Sequence, residues 1–361
     1  MTCRASSSGL RVAVIGATGL VGRTLVRILG ERSFPVGHLQ LFASPRSAGE
    51  QIAAFGGPVQ VLPLDSDIGQ AVTGRGEDGA ARRTDIAFFA AGEPLSSRFA
   101  PDMAARGTLV IDKSAAFRSD AGVPLVVPEV NIASARGHTL IANPNCATIP
   151  LAVLLAPIRR AFGLQWVSVS TYQSVSGAGR HALDGFHREL AGAPPAGAFP
   201  RQIAGNVFPE NGTFDGEGHA EEERKIAAEL RKILGQADLR VSATSVRVPV
   251  AVGHAEAVAF QTEAKVSRED LASVLARAPG IRFLDGCGYE SPAQVAGRDD
   301  VSVGRLRADL AHPGAFLAWV ACDNLRKGAA TNAVQIAEAM LGLPHASTHA
   351  SAPPAELSRN P

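Results

Sequence analysis

Apolar and polar positions along this chain fall into two textures. Through the first part, apolar runs of strand length are separated by helix-length amphipathic stretches. Residues 10–15 lead into a helical segment that reaches Gly30, residues 38–42 end in a polar turn, and residues 85–90, 108–112 and 139–142 repeat the strand pattern. Strands alternating with helices predict an α/β fold with a Rossmann-type doubly wound parallel sheet, whose ligands lie beyond the strand C-terminal ends. From Gln165 the apolar runs lengthen, at 166–172, 241–250, 255–262 and 316–322, with an amphipathic helix over 221–234. That texture predicts an α+β second domain with a mixed or antiparallel sheet. The expected division is 1–145 for a dinucleotide domain, completed by a C-terminal helix at about 328–343, and 146–327 for a catalytic and dimerisation domain. Residues 344–361, rich in Ala, Ser, Pro and His, are expected to form a flexible tail.

Composition narrows the function classes. Of 361 residues, 46% are hydrophobic and 19% charged, enough apolar material for two cores. The 35 basic and 34 acidic residues nearly cancel, and no basic run is interleaved with aromatics, so a nucleic-acid partner is not expected. No apolar stretch approaches the ~20 residues of a membrane span, and residues 1–9 lack the apolar centre of a signal peptide, so the expected location is cytoplasmic. Cys3, Cys146, Cys287 and Cys322 show no metal-ligand spacing; free thiols and no metal are expected.

Three windows carry candidate chemistry. The first strand runs straight into Gly16-Ala17-Thr18-Gly19-Leu20-Val21-Gly22, where glycines allow close approach of a pyrophosphate and the following helix offers its N–H groups and positive dipole end. After the second strand, where a carboxylate would take the ribose 2′-hydroxyl of NAD, the chain has Ser44, Arg46 and Ser47 instead. That set suits a 2′-phosphate, hence NADP, or is simply a polar surface turn. The third window places Cys146 between a strand-like run ending at Ala142 and the helix-like stretch 151–162. A thiol there meets unpaired N–H groups and the helix dipole, which favour thiolate and hence a nucleophile; the plainer alternative is a small thiol that packs. In the second domain, Gln173 precedes a small-residue loop containing Ser176 and Gly177, and Arg247 and His254 bound the apolar segment between them. The run 221–225, Glu-Glu-Glu-Arg-Lys, opens a helix and by itself reads as a solvated face.

Taken together these windows resemble the aspartate-β-semialdehyde dehydrogenase family, over nearly all of residues 10–343. The matching pieces are GATGLVG, ASPRSAG, SAAFRSDAGVPLVVPEVN at 114–131, NPNCATIP, QSVSGAG, RVPVAVGH, GRDDVSVGRLR at 297–307 and DNLRKGAATNAVQ at 323–335. The separations of 27 from Cys146 to Gln173 and 7 from Arg247 to His254 also agree with it. The resemblance implies Cys146 as nucleophile, His254 as acid/base and Gln173 as the residue orienting the acyl intermediate. It assigns Arg247 to the substrate carboxylate, Glu222 to its ammonium, and Arg118, Asn145 and Lys225 to phosphate. Gly16, Thr18, Gly19, Leu20, Val21, Gly22, Ser44, Arg46, Ser47, Ser176, Gly177 and Asn332 are implied for NADP. One departure stands out: where the family has a histidine after a central Phe-Pro, this chain reads Phe208-Pro209-Glu210-Asn211.

The activity implied is NADPH-dependent reductive dephosphorylation of β-aspartyl phosphate to the semialdehyde and phosphate, through a cysteine thioester, on the route to lysine, diaminopimelate, threonine, methionine and isoleucine. A homodimer or dimer-based tetramer is implied with it. The alternatives are N-acetyl-γ-glutamyl-phosphate reductase, in which a glycine stands in place of Asn145, and a non-catalytic NADP-binding paralogue, which need not keep thiol, imidazole and guanidinium together. A glyceraldehyde-phosphate-type dehydrogenase would hold its Cys and His much closer in sequence.

Overall fold

The structure is a computed structural model and describes residues 9–64, 83–195 and 197–343. Cys3 and the expected tail at 344–361 lie outside the described residues. The chain divides into two compact units, one comprising the described parts of Met1–Asn145 and Ala329–Ala346, the other Cys146–Gly328.

In the first unit, β1 (Leu10–Ile15), β2 (Val36–Ala43), β3 (Gln51–Ala54), β4 (Gly57–Pro63), β5 (Ile86–Phe89), β6 (Leu109–Asp112) and β7 (Leu140–Ala142) form one sheet in the order β3-β4-β2-β1-β5-β6-β7. The strands from β4 to β7 pair in parallel. The β3–β4 hairpin, not anticipated from the sequence, adds an antiparallel edge. Successive side chains of one strand feed opposite faces. Val12, Val14 and Phe88 join a core with the helices Leu20–Glu31 and Thr331–Leu341, whereas Ala13, Ile15 and Phe89 join another with Phe99 and Met103 of Glu93–Ala105. Full burial on both faces explains why these strands read as continuous apolar runs. The chain order reverses between β1 and β5, which opens a crevice at their C-terminal ends.

In the second unit, β8 (Trp166–Gln173), β9 (Arg240–Arg247), β10 (His254–Gln261), β11 (Ile281–Leu284), β12 (Val301–Ala308) and β13 (Ala315–Cys322) form a mixed sheet in the order β11-β12-β13-β10-β8-β9. Helices Thr148–Phe162, Glu221–Leu234 and Arg268–Leu275 pack against it. The sequence pattern suggested one strand across 241–250. The strand instead stops at Arg247, and 248–253 form a connection, because Pro249 has no N–H for a ladder and Gly253 turns through φ +95°. Arg247 and His254 therefore belong to different strands, with β8 between them.

Candidate active site

Cys146 precedes the N-cap Ala147 of helix Thr148–Phe162, the most apolar helix of its unit, whose burial anchors the thiol. Its half-buried Sγ lies 3.3 Å from His254 Nε2. Sheet topology delivers the partners. β8 and β9 run parallel with Gln173 opposite Arg247, and β10 runs antiparallel to β8 with Ala255 opposite Tyr172, so His254 starts its strand where the other two end. Gln173, Arg247 and His254, which lie 27, 101 and 108 positions after Cys146, thus come to one sheet end, with His254 on the thiol.

Each side chain is held by its neighbours. Gln173 Nε2 donates to Glu222 Oε1 at 3.1 Å, and Glu222 stands in the first turn of Glu221–Leu234. The segment that departs from the family pattern still leads there: the Glu222 N–H donates to the Asn211 carbonyl, and Asn211 Nδ2 donates to Ser245 Oγ at 2.7 Å. Arg247 Nη1 donates to the Ser174 carbonyl at 2.7 Å, its guanidinium lies over the Phe199 ring, and its Nε is buried without a partner. Burial lowers the Arg247 pKa, opposed by the nearby Cys146 and Glu222. Burial, with Arg247 beside it, pushes His254 down to about 3, against a backbone hydrogen bond at Gly253 that favours the charged ring. The imidazole is therefore neutral at pH 7.

Ser176 and Gly177 follow Gln173 in the loop; a Cβ on Gly177 would press on Arg247 Nη1 and on the His254 ring at 3.2 Å. Lys225, expected at the phosphate, forms an ion pair with Glu221 at 2.6 Å on its own helix.

The first unit assembles the glycine window at the β1–β5 crevice. Gly16 has φ +86°, and a Cβ on it would meet the Ala90 carbonyl at 2.6 Å; one on Gly22 would meet the Gly16 carbonyl at 2.2 Å. Only glycine allows this packing. The helix begins after Gly19 with no side-chain cap, so its first-turn N–H groups take no side-chain acceptor from the N-cap residue, the kind of helix start that a dinucleotide pyrophosphate uses. Thr18 Oγ1 donates to Ser47 Oγ at 3.5 Å, and Ser44, exposed Arg46 and Ser47 sit together in the turn after β2. Arg118 is occupied by the Asn143 and Lys113 carbonyls, and Asn145 is buried. Asn332, expected at the cofactor, is fully buried, and its amide donates to the Val126 carbonyl and to Asn143 Oδ1 at 2.8 Å, so it steadies the loop before Asn145.

Comparison with known proteins agrees with this geometry. The family models described as "Semialdehyde dehydrogenase, NAD binding domain" and "Semialdehyde dehydrogenase, dimerisation domain" match residues 11–138 and 155–327. An aspartate-semialdehyde dehydrogenase from Aquifex aeolicus is 43% identical, covering 92% of this chain and 98% of its own length. The chain belongs to the aspartate-semialdehyde dehydrogenase family. Another member, from Shewanella violacea, is 44% identical over 93% of this chain and 98% of its own. Among solved structures, aspartate semialdehyde dehydrogenase II from Vibrio cholerae complexed with ASA superimposes with a TM-score of 0.86 at 41% identity, covering 93% of this chain and 99% of its own. The acetylglutamyl-phosphate alternative finds no support among these relatives.

Two residues at the site escaped sequence reasoning. Ser174 and Asn324 both reach the His254 surroundings. Nothing in the chain's periodicity marks a contact 150 positions apart.

Proposed function

We propose that this protein reduces β-aspartyl phosphate to aspartate semialdehyde and phosphate with NADPH, in amino-acid biosynthesis, and that it works as a dimer. The observation that carries the reading is the thiol–imidazole contact of Cys146 and His254, with Arg247 and the Gln173–Glu222 pair at the same sheet end. The acyl phosphate is attacked by Cys146 Sγ, its thiol proton passes to His254 Nε2, and phosphate departs to leave a thioester on the cysteine. The nicotinamide, when bound, supplies the hydride that reduces this acyl group. As the reduced adduct collapses to the aldehyde and its carbon–sulfur bond breaks, His254 returns its proton to Cys146 Sγ, and in the reverse direction it takes that proton as the bond forms, so one imidazole serves both directions. Arg247 has buried donor capacity left over for the substrate carboxylate, and its planar guanidinium offers two parallel hydrogen bonds. Glu222, already fixing Gln173, takes the substrate ammonium. The phosphate role implied for Arg118, Asn145 and Lys225 is kept; Lys225 must exchange its Glu221 partner to fill it.

The nucleotide is held by residues 16–22, and Ser176 and Gly177 are assigned to it as well. NADP is favoured over NAD because Arg46 stands exposed beside Ser44 and Ser47, with no carboxylate at the end of β2. The dimer reading is supported by the dimerisation model over 155–327. No helix among the described residues is long and apolar enough to cross a membrane. A location in the cytoplasm fits a biosynthetic role.

The test is NADP reduction on mixing the protein with aspartate semialdehyde and phosphate. Cys146→Ser should lose nearly all turnover while NADP still binds, and Arg46→Ala should raise KM for NADPH far more than for NADH. Turnover surviving Cys146→Ser would remove the nucleophile, and equal losses for the two cofactors would reduce Arg46 to a loop residue.

A further inference from the structure

Within the second unit, His254 Nδ1 meets Ser174 twice: the Ser174 backbone N–H donates to it at 3.1 Å, and Ser174 Oγ lies at 3.1 Å. Behind that hydroxyl, Asn324 Oδ1 accepts from Ser174 Oγ at 3.1 Å and from the Gly253 N–H at 2.8 Å. Asn324 Nδ2 donates to Ser176 Oγ at 3.0 Å, and the two serine hydroxyls are 3.1 Å apart. All three side chains are buried. Because a backbone N–H can only donate, the Gly253 contact fixes which end of the Asn324 amide is oxygen. The Ser174 hydroxyl proton is thereby drawn toward Asn324, leaving its lone pairs for the ring.

We propose that Ser174 and Asn324 are positioning residues for His254: they present Nδ1 with both a donor and an acceptor, so that the ring can hold its proton on either nitrogen while Nε2 stays on Cys146. The proposal rests on His254 being the acid/base of the reaction above. A neutral imidazole has one N–H and one lone pair. With Nδ1 accepting from the Ser174 N–H, the ring proton sits on Nε2 and faces the sulfur, a state suited to a thiolate. To take a proton from the Cys146 thiol, Nε2 must instead carry the lone pair, and the ring proton must be on Nδ1. The imidazolium formed by that transfer carries Nδ1–H as well. Both states need an acceptor at Nδ1, which Ser174 Oγ supplies, assisted by the Gly253 backbone that Asn324 also holds. A carboxylate in the Asn324 position would favour the charged ring; an amide leaves it freer to discharge after each transfer. Among the charged or titratable groups near the ring are Cys146, Arg247, Cys322 opposite it on β13, and Glu256 two residues along β10; Asp323, next to Asn324 in the chain, and the buried Lys327 act on Cys322.

The experiment compares the full-length wild type with Ser174→Ala and Asn324→Asp. Three readouts apply: kcat and KM for the semialdehyde, the pH dependence of Cys146 alkylation by iodoacetamide followed by mass spectrometry, and the imidazole ¹⁵N resonances of His254. Ser174→Ala should lower kcat about 10- to 100-fold, the scale of a mispositioned base, with KM within roughly threefold, and lock the ring proton on Nε2. Asn324→Asp, nearly isosteric, should move the His254 titration upward by about one unit or more and carry the alkylation profile with it. Wild-type kcat in Ser174→Ala, or a loss of kcat with unchanged tautomer, overturns the proposal, as does an unshifted titration in Asn324→Asp. If Ser174→Ala does not fold, the Asn324→Asp titration decides alone. A wild type inactive on the semialdehyde would count against the reaction, whereas the ¹⁵N tautomer would still decide the positioning role.

Discussion

Arg247 shows how burial turns an ordinary side chain into a binding group. Its Nη1 is spent on the Ser174 carbonyl, while its buried Nε has no acceptor in the protein, a cost that an incoming carboxylate relieves. Lysine cannot make the paired contact, so Arg247→Lys should raise KM for the semialdehyde roughly 10- to 100-fold, the worth of a charge-assisted hydrogen bond or two, with kcat less affected. An unchanged KM in steady-state kinetics would leave substrate recognition without this anchor. Glu256 poses the opposite case. Neither of its oxygens has a hydrogen-bond partner, and burial raises its pKa well above 4.5, so the folded protein keeps it neutral. The unfolded chain ionises it near 4.5, so rising pH favours unfolding from there up to the folded pKa. Glu256→Gln should therefore gain stability relative to wild type as pH climbs from about 5 to about 8. Urea unfolding at both ends of that range checks it; a difference independent of pH would mean the carboxyl is ionised in the fold.

At the scale of elements, the turn between β1 and its helix is a packing problem solved by absence of side chains. With Gly22 against the Gly16 carbonyl, a methyl group at 22 overlaps the backbone at 2.2 Å, and the helix must back away from the turn. Overpacking of this kind costs about 1–3 kcal/mol, and here it falls on the geometry that places Leu20, Val21 and Gly22 N–H groups. Gly22→Ala should weaken NADPH binding by roughly tenfold or more, measured by fluorescence titration, with the second unit's thiol reactivity unchanged. Normal affinity would show that the turn tolerates a shifted helix. The strands themselves were legible because both faces of the first sheet are covered and their runs are apolar throughout. The β3–β4 hairpin and β11 were not, because edge strands such as Gln51–Ala54, exposed on alternate residues, lack that run. The break after Arg247 was hidden for another reason: Val248, Val250 and Val252 continue the strand's alternation through a segment that Pro249 and Gly253 remove from the ladder.

At the scale of the molecule, the association state is the property to measure. Sedimentation of the purified chain should give a dimer across micromolar concentrations, and a monomer at every concentration would contradict the dimerisation reading. The division of the chain itself rests on a local fact, since the boundary falls between Asn145 and Cys146, at the head of a buried helix. Sequence alone determined the alternation of strands and helices, the glycine turn with its helix N-terminus, and the placing of a thiol before an apolar helix. These are short-range consequences of periodicity, backbone freedom and helix ends, and they are written in consecutive residues. His254 was named from the sequence only through family resemblance; that it faces the thiol, and through Nε2, was decided by tertiary structure. The strand order β10-β8-β9 brings His254, Gln173 and Arg247 to one end of the sheet, burial strips the imidazole of its charge, and Asn324 arrives from the end of β13 to hold Ser174. Desolvation and hydrogen bonding across more than a hundred positions depend on the packed fold, and no local pattern encodes them.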